Sequence, residues 1–142
     1  MVTRVCYISI TCCLSALLGA ADPVPPPIAA WDVVPHQIIA TPLHAGVVAF
    51  HRAAVTVEFA VQAADAAEPA LRRTVSAPTR NLQLQVWEYV CEVDPAALPD
   101  GAFQIRARVY PTGHPEAAKE LDPLPLFANA KGGIAPGREV VV

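Results

Sequence analysis

Apolar side chains recur at every second position over several short runs, the period of a half-buried β-strand. Residues 54–62 (AVTVEFAVQ) set Val55, Val57, Phe59 and Val61 on one face and Thr56, Glu58, Ala60 and Gln62 on the other. Residues 102–110 (AFQIRARVY) put Phe103, Ile105, Ala107 and Val109 inward, and Gln104, Arg106, Arg108 and Tyr110 outward. The longest run is residues 82–93 (LQLQVWEYVCEV). Its heavier face carries Trp87, Tyr89, Cys91 and Val93 and is expected in the core, with Val86, Glu88, Val90 and Glu92 opposite. Weaker runs cover residues 31–40, 45–51, 70–76 and 121–130. Pro35 interrupts the first, and Pro123 and Pro125 the last. Proline donates no ladder hydrogen bond, so these positions predict edges, or a break where a strand changes sheet.

Turn chemistry separates the runs. Asp94-Pro95 opens one turn, and Asp100-Gly101 supplies the positive φ that closes it. The Ala-rich residues 63–68 allow a helical turn, but a hairpin there gives the strand at 54–62 a partner. Strands at roughly 8–15-residue spacing, with no long helical period, describe a β-sandwich. The expected fold is all-β: an immunoglobulin-like β-sandwich of about seven strands over residues 31–130, preceded by a signal-peptide helix.

Residues 31–51, 55–61 and 86–111 carry a resemblance. Within the last, Leu98, Asp100, Gly101, Phe103, Ile105, Ala107 and Tyr110 match a pattern of loop Leu-x-Asp-Gly followed by aromatic-x-Ile-x-Ala and a closing Tyr. The chain resembles the immunoglobulin-like or fibronectin-like modules of bacterial secreted and cell-surface proteins. It is similar to those placed N-terminal to secreted parallel β-helix proteins. Residues 77–81 depart from the pattern, lacking the glycine of the turn expected before the longest strand. The resemblance implies a fold and a modular role; it brings no catalytic residues.

Composition narrows the choice. A chain of 142 residues holds one domain, not a two-domain enzyme. Its 10 Lys+Arg against 13 Asp+Glu make no broad basic face, which excludes nucleic acid as a partner. Residues 1–21 read as a signal peptide: Arg4, an apolar run from Val5 to Leu18, then Gly19-Ala20-Ala21, with the cut expected after Ala21. That run of about 14 residues is short of the roughly 20 needed to span a bilayer, so no stable membrane insertion is expected after cleavage. The expected location is outside the cell or in its envelope. Cys6, Cys12 and Cys13 leave with the signal, and Cys91 remains as a small core residue. Residues 22–30 form a Pro-rich leader. Residues 131–142 read as a linker and the start of a truncated strand, which suggests a longer parent protein.

Candidate chemistry is sparse. Ser76 is the lone serine after residue 21 and has no nucleophile elbow. His36, His44, His51 and His114 lack metal-ligand spacing. Glu88 and Glu92 lie about 13 Å apart along a strand, beyond a glycosidase pair, and are expected on a solvated face. Asp94 and Asp100 flank a turn without the spacing of a calcium loop. No enzyme activity, catalytic residue, cofactor or metal is expected. The expected role is a non-catalytic secreted module, a spacer, adhesion or interaction domain meeting cell-surface polysaccharide or another protein domain. The alternative is a carbohydrate-binding module, an accessory to a polysaccharide-acting or β-helix domain. Its candidate contacts are Trp31, Tyr110, Arg106 and Arg108, the arginines having Glu88 or Glu92 as cross-strand partners.

Overall fold

The computed structural model describes residues 22–133. The expected signal peptide and most of the expected linker, residues 134–142, lie outside the described residues. In chain order the strands are β1 (Ile28–Trp31), β2 (Ile38–Ile39), β3 (Leu43–Phe50), β4 (Val55–Ala63), β5 (Leu71–Val75), β6 (Thr79–Asn81), β7 (Val86–Val93), β8 (Gly101–Pro111), β9 (Lys119–Glu120) and β10 (Leu124–Ala128). Two single 3₁₀ turns, Pro95–Ala97 and Pro115–Ala117, are the helical elements among the described residues.

The strands form two sheets. One has the order β1-β3-β7-β6; the other runs β2-β10-β8-β4-β5, with β9 also on β8. All pairs are antiparallel except β2 with β10. The sheets enclose one core. Val57, Phe59 and Val61 of β4 and Ile105 and Val109 of β8 meet Val47 of β3 and Cys91 and Val93 of β7 within it. Each such side chain contributes about 1.5–3 kcal/mol on burial, so the alternation of β4 and β8 supplies much of the stability. Leu98, following the turn that Asp94 caps through Ala96 N (2.9 Å), is buried with them.

Pro35 marks a change of sheet. β1 belongs to the four-stranded sheet and β2 to the six-stranded one. Between them His36 adopts φ 65°, and its N–H donates to Pro125 O at 2.7 Å. β1 begins at Ile28, inside the stretch expected as leader, because Ile28 still finds a ladder partner in Phe50. The hairpin reading of residues 63–68 holds: β4 and β5 pair from Val57↔Val75 to Val61↔Leu71.

The longest run departs from expectation. The strand starts at Val86, not at Leu82, and residues 82–85 form a turn after β6. Asn81 Oδ1 accepts from Gln83 N and Leu84 N, both at 3.0 Å. Gln85 takes φ 59°, a left-handed conformation that closes this turn without a glycine. As a result Trp87 is not a core residue and is 57% exposed. The β3–β7 ladder ends at Val47↔Tyr89, so Trp87 pairs only with Arg80 of β6, whose guanidinium lies 5.8 Å from its ring centroid. Tyr89, Cys91 and Val93 are buried as the alternation predicts.

Candidate functional site

The outward face of the six-stranded sheet carries two of the arginines and the tyrosine singled out in the sequence. Arg108 sits between Glu58 on β4 and Glu120 on β9 in the ladder register. Its guanidinium reaches Glu58 Oε2 at 3.6 Å and Glu120 Oε1 at 3.5 Å, and Nη2 donates to Pro115 O at 2.6 Å. The Tyr110 hydroxyl donates to Glu58 Oε1 at 2.9 Å, and burial together with that carboxylate pushes the phenol up, so it stays protonated. The expected pairing of these arginines with Glu88 or Glu92 does not form, because β7 lies in the other sheet. Arg106 is opposite Ala60, and with the Gln104 amide oriented so that its oxygen faces the guanidinium, Arg106 Nε and Nη2 donate to it at 3.1 and 3.0 Å. Trp31 is half-buried. Its ring packs 6.2 Å from Phe59, and Nε1 donates to Asp122 O at 2.8 Å. Trp31, Tyr110 and Arg108 thus bond within the fold.

The exposed apolar surface lies elsewhere. Ile28 (75% exposed) and Phe50 (68%) are ladder partners at one end of the four-stranded sheet. Phe50 and Trp87 line a shallow depression of about 380 Å³ together with Arg80, Gln85 and Val86. The signal for this surface was weak, since the alternation alone assigned Trp87 inward.

A second depression, about 390 Å³, opens nearer the other end of the same sheet. Asp32, Gln37, His44, Asn81, Leu84 and Glu88 are among its lining. Glu88 was expected in solvent but is only 8% exposed, and its Oε1 accepts from Asn81 Nδ2 at 3.2 Å. Asp32 follows β1 and extends the ladder through its own N–H to Gly46 O at 3.1 Å. A Cβ on Gly46 would lie 2.5 Å from both Asp32 carboxylate oxygens and from Glu88 Oε2. The two carboxyl groups therefore come within twice that distance of each other above the bare backbone of β3. Asp32 Oδ2 is buried and has no hydrogen-bond partner. Burial pushes the Asp32 carboxyl up, opposed in part by the N–H groups of Gly46 and of Asp32 itself. Sequence reasoning missed this pair. The available signal was a glycine in the middle of a strand, which marks close approach of another group.

The remaining polar candidates have local roles. His44 and His51 stand at opposite ends of β3. His44 Nε2 is 3.2 Å from Glu92 Oε2, while His51 bonds Pro25 O and Ala53 N. Ser76 hydrogen-bonds Thr56, which also bonds Thr112. Asp100 accepts from Lys131 N at 3.2 Å and Gly133 N at 2.6 Å, tying down the chain beyond β10. Among the described residues, no three His, Cys, Asp or Glu converge in a way that would hold a metal ion. No helix among them is long and apolar enough to cross a membrane.

Neither a protein-family model nor a curated protein matches the chain. Among solved structures it is similar to an endo-β-1,4-mannanase from Thermotoga petrophila, at 11% identity and a TM-score of 0.48. The match covers 80% of this chain and 22% of the mannanase chain.

Proposed function

We propose that the chain is a secreted, non-catalytic module of immunoglobulin-like type that acts by docking against another protein domain. The observation that carries this reading is the exposed pair of Phe50 and Trp87, with Ile28 the ladder partner of Phe50. Large aromatics left in solvent on an otherwise well-filled fold are the kind of surface that interfaces use. On the opposite sheet Glu58, Arg108 and Glu120 pair among themselves, so that trio offers no free charge to a partner. Export through residues 1–21 places the module outside the cell or in its envelope, in keeping with the bacterial modules it resembles.

The test places a photo-crosslinking amino acid at position 50 in the exported chain. A discrete protein adduct that disappears on Trp87→Ala supports the reading; no adduct in the producing cell's envelope or medium overturns it. Trp87→Ala itself is expected to change stability by less than about 1 kcal/mol, because it removes only a solvent-exposed ring and its contact with Arg80. Urea unfolding of both proteins checks this.

One observation favours the carbohydrate-binding alternative. The Trp87 ring shares its depression with the Gln85 amide and the Arg80 guanidinium, an aromatic platform edged by hydrogen-bonding groups. On this reading, polysaccharide quenches Trp87 fluorescence while half-buried Trp31 serves as the internal reference. An unchanged spectrum across neutral and acidic polysaccharides rules the alternative out.

A further inference from the structure

We propose that Asp32 and Glu88 share a single proton above Gly46, making a pH-sensitive clasp between the end of β1 and the β6–β7 hairpin. Three carboxylate oxygens converge on the point that a Cβ of residue 46 would occupy. One belongs to Glu88, a side chain almost fully buried. Another, Asp32 Oδ2, is buried and has no hydrogen-bond partner. Two ionised carboxylates at such range repel strongly in a medium poorer than water, whereas one proton between them supplies the missing donor.

No cationic side chain nearby replaces that proton, and the backbone N–H groups of Gly46 and Asp32 oppose the effect of burial only in part. From β3 the facing titratable group is His44, which is engaged with Glu92 of β7. From β6 come Asn81, which donates to Glu88, and Thr79, which bonds the Glu88 carbonyl. Arg80 of the same strand turns to Trp87 and Gln85. From the crossing after β1 comes Gln37, bonded to Val34 O, and His36 lies in the same segment. The turn after β6 brings Gln83 and Leu84. Among the described residues no Lys, Arg or His forms an ion pair with either carboxylate.

The sign follows from linkage. The folded pair holds its proton at pH values where the unfolded carboxyl groups, which titrate near about 4, have lost theirs. Its stabilising effect is complete below that range and is lost as pH rises through the higher folded value. The segment released first is the crossing to β2, since Asp32 is its first residue.

The experiment measures folding equilibrium constants by urea unfolding from pH 4 to 9 for the wild type, Asp32→Asn and Glu88→Gln. The expected result is a wild-type constant that falls with pH by up to tenfold per unit relative to either amide variant. His44 and its contact with Glu92 are common to all three proteins, so they do not distinguish them. Parallel profiles would overturn the proposal. A second readout needs no variant: ¹³C-labelled side-chain carboxyl resonances should show one carboxyl titrating well above the rest. If every carboxyl titrates in the ordinary range, the proton is not shared. A rise in melting temperature on adding calcium at neutral pH, absent in Glu88→Gln, would likewise overturn it by assigning the pair to a cation.

Discussion

Phe59→Ala is expected to cost about 3–5 kcal/mol of folding stability, the range for removing a buried aromatic ring. Phe59 is in β4, which lies between β8 and β5, and it is 2% exposed. Its ring also meets Trp31 of the opposite sheet at 6.2 Å, so the substitution opens a void between the two layers rather than at a rim. Neighbouring strands are locked by their ladders and cannot close over the gap. Domains of this size are stable by about 5–15 kcal/mol, so the loss is a large share of the total. Urea unfolding should show a lower midpoint with an unchanged slope. A shift below about 1 kcal/mol would show that the ring does not fill the core.

The second large effect is chemical. Cys91 is fully buried on β7, and burial pushes its thiol up, with only partial opposition from Arg73. The thiolate is the reactive form, so both its scarcity and its inaccessibility protect it. In the chain cut after Ala21, Cys91 is the sole thiol by sequence. Disulfide-exchange reagents are expected to modify the folded protein at least about 10³-fold more slowly than the urea-unfolded chain, since reaction waits for opening. Stoichiometric labelling within the mixing time in native buffer would refute this. Exposure of Cys91 also provides a direct measure of opening for the other variants.

Much of the architecture was legible because alternation is a local property. β4 and β8 carry their inward residues at every second position, and each of those residues is buried. Pro35 announced an edge or a change of sheet for a similar reason, since a missing N–H is a fact of the residue itself, and the fold takes the second option. Sheet membership was harder to read. Arg108 finds Glu58 and Glu120, not the β7 glutamates, because strand order depends on contacts distant in sequence. Trp87 shows the limit of face assignment. Alternation gives the side of a sheet but not whether a facing layer covers that position, and here the neighbouring ladder has already stopped. Glu88 fails in the opposite direction, as its burial depends on Gly46 of β3 and on Asp32 beyond β1 meeting it from elsewhere in the chain.

The register has a mechanical consequence. β1 begins at Ile28 beside Phe50, at the end of the fold where Val55 meets Pro111. β10 finishes at Ala128 beside Gly101, at the opposite end of the eleven-residue β8. Tension applied across β1 and β10 would pull them in opposite directions along their own axes. Their ladders would then be loaded in shear, with the hydrogen bonds of β1–β3 and β10–β8 resisting together instead of parting one at a time. An array of such folds would transmit force lengthwise, each contributing about 36 Å of strand length, and the two-residue parallel graft of β2 onto β10 would brace β10 on the side away from β8.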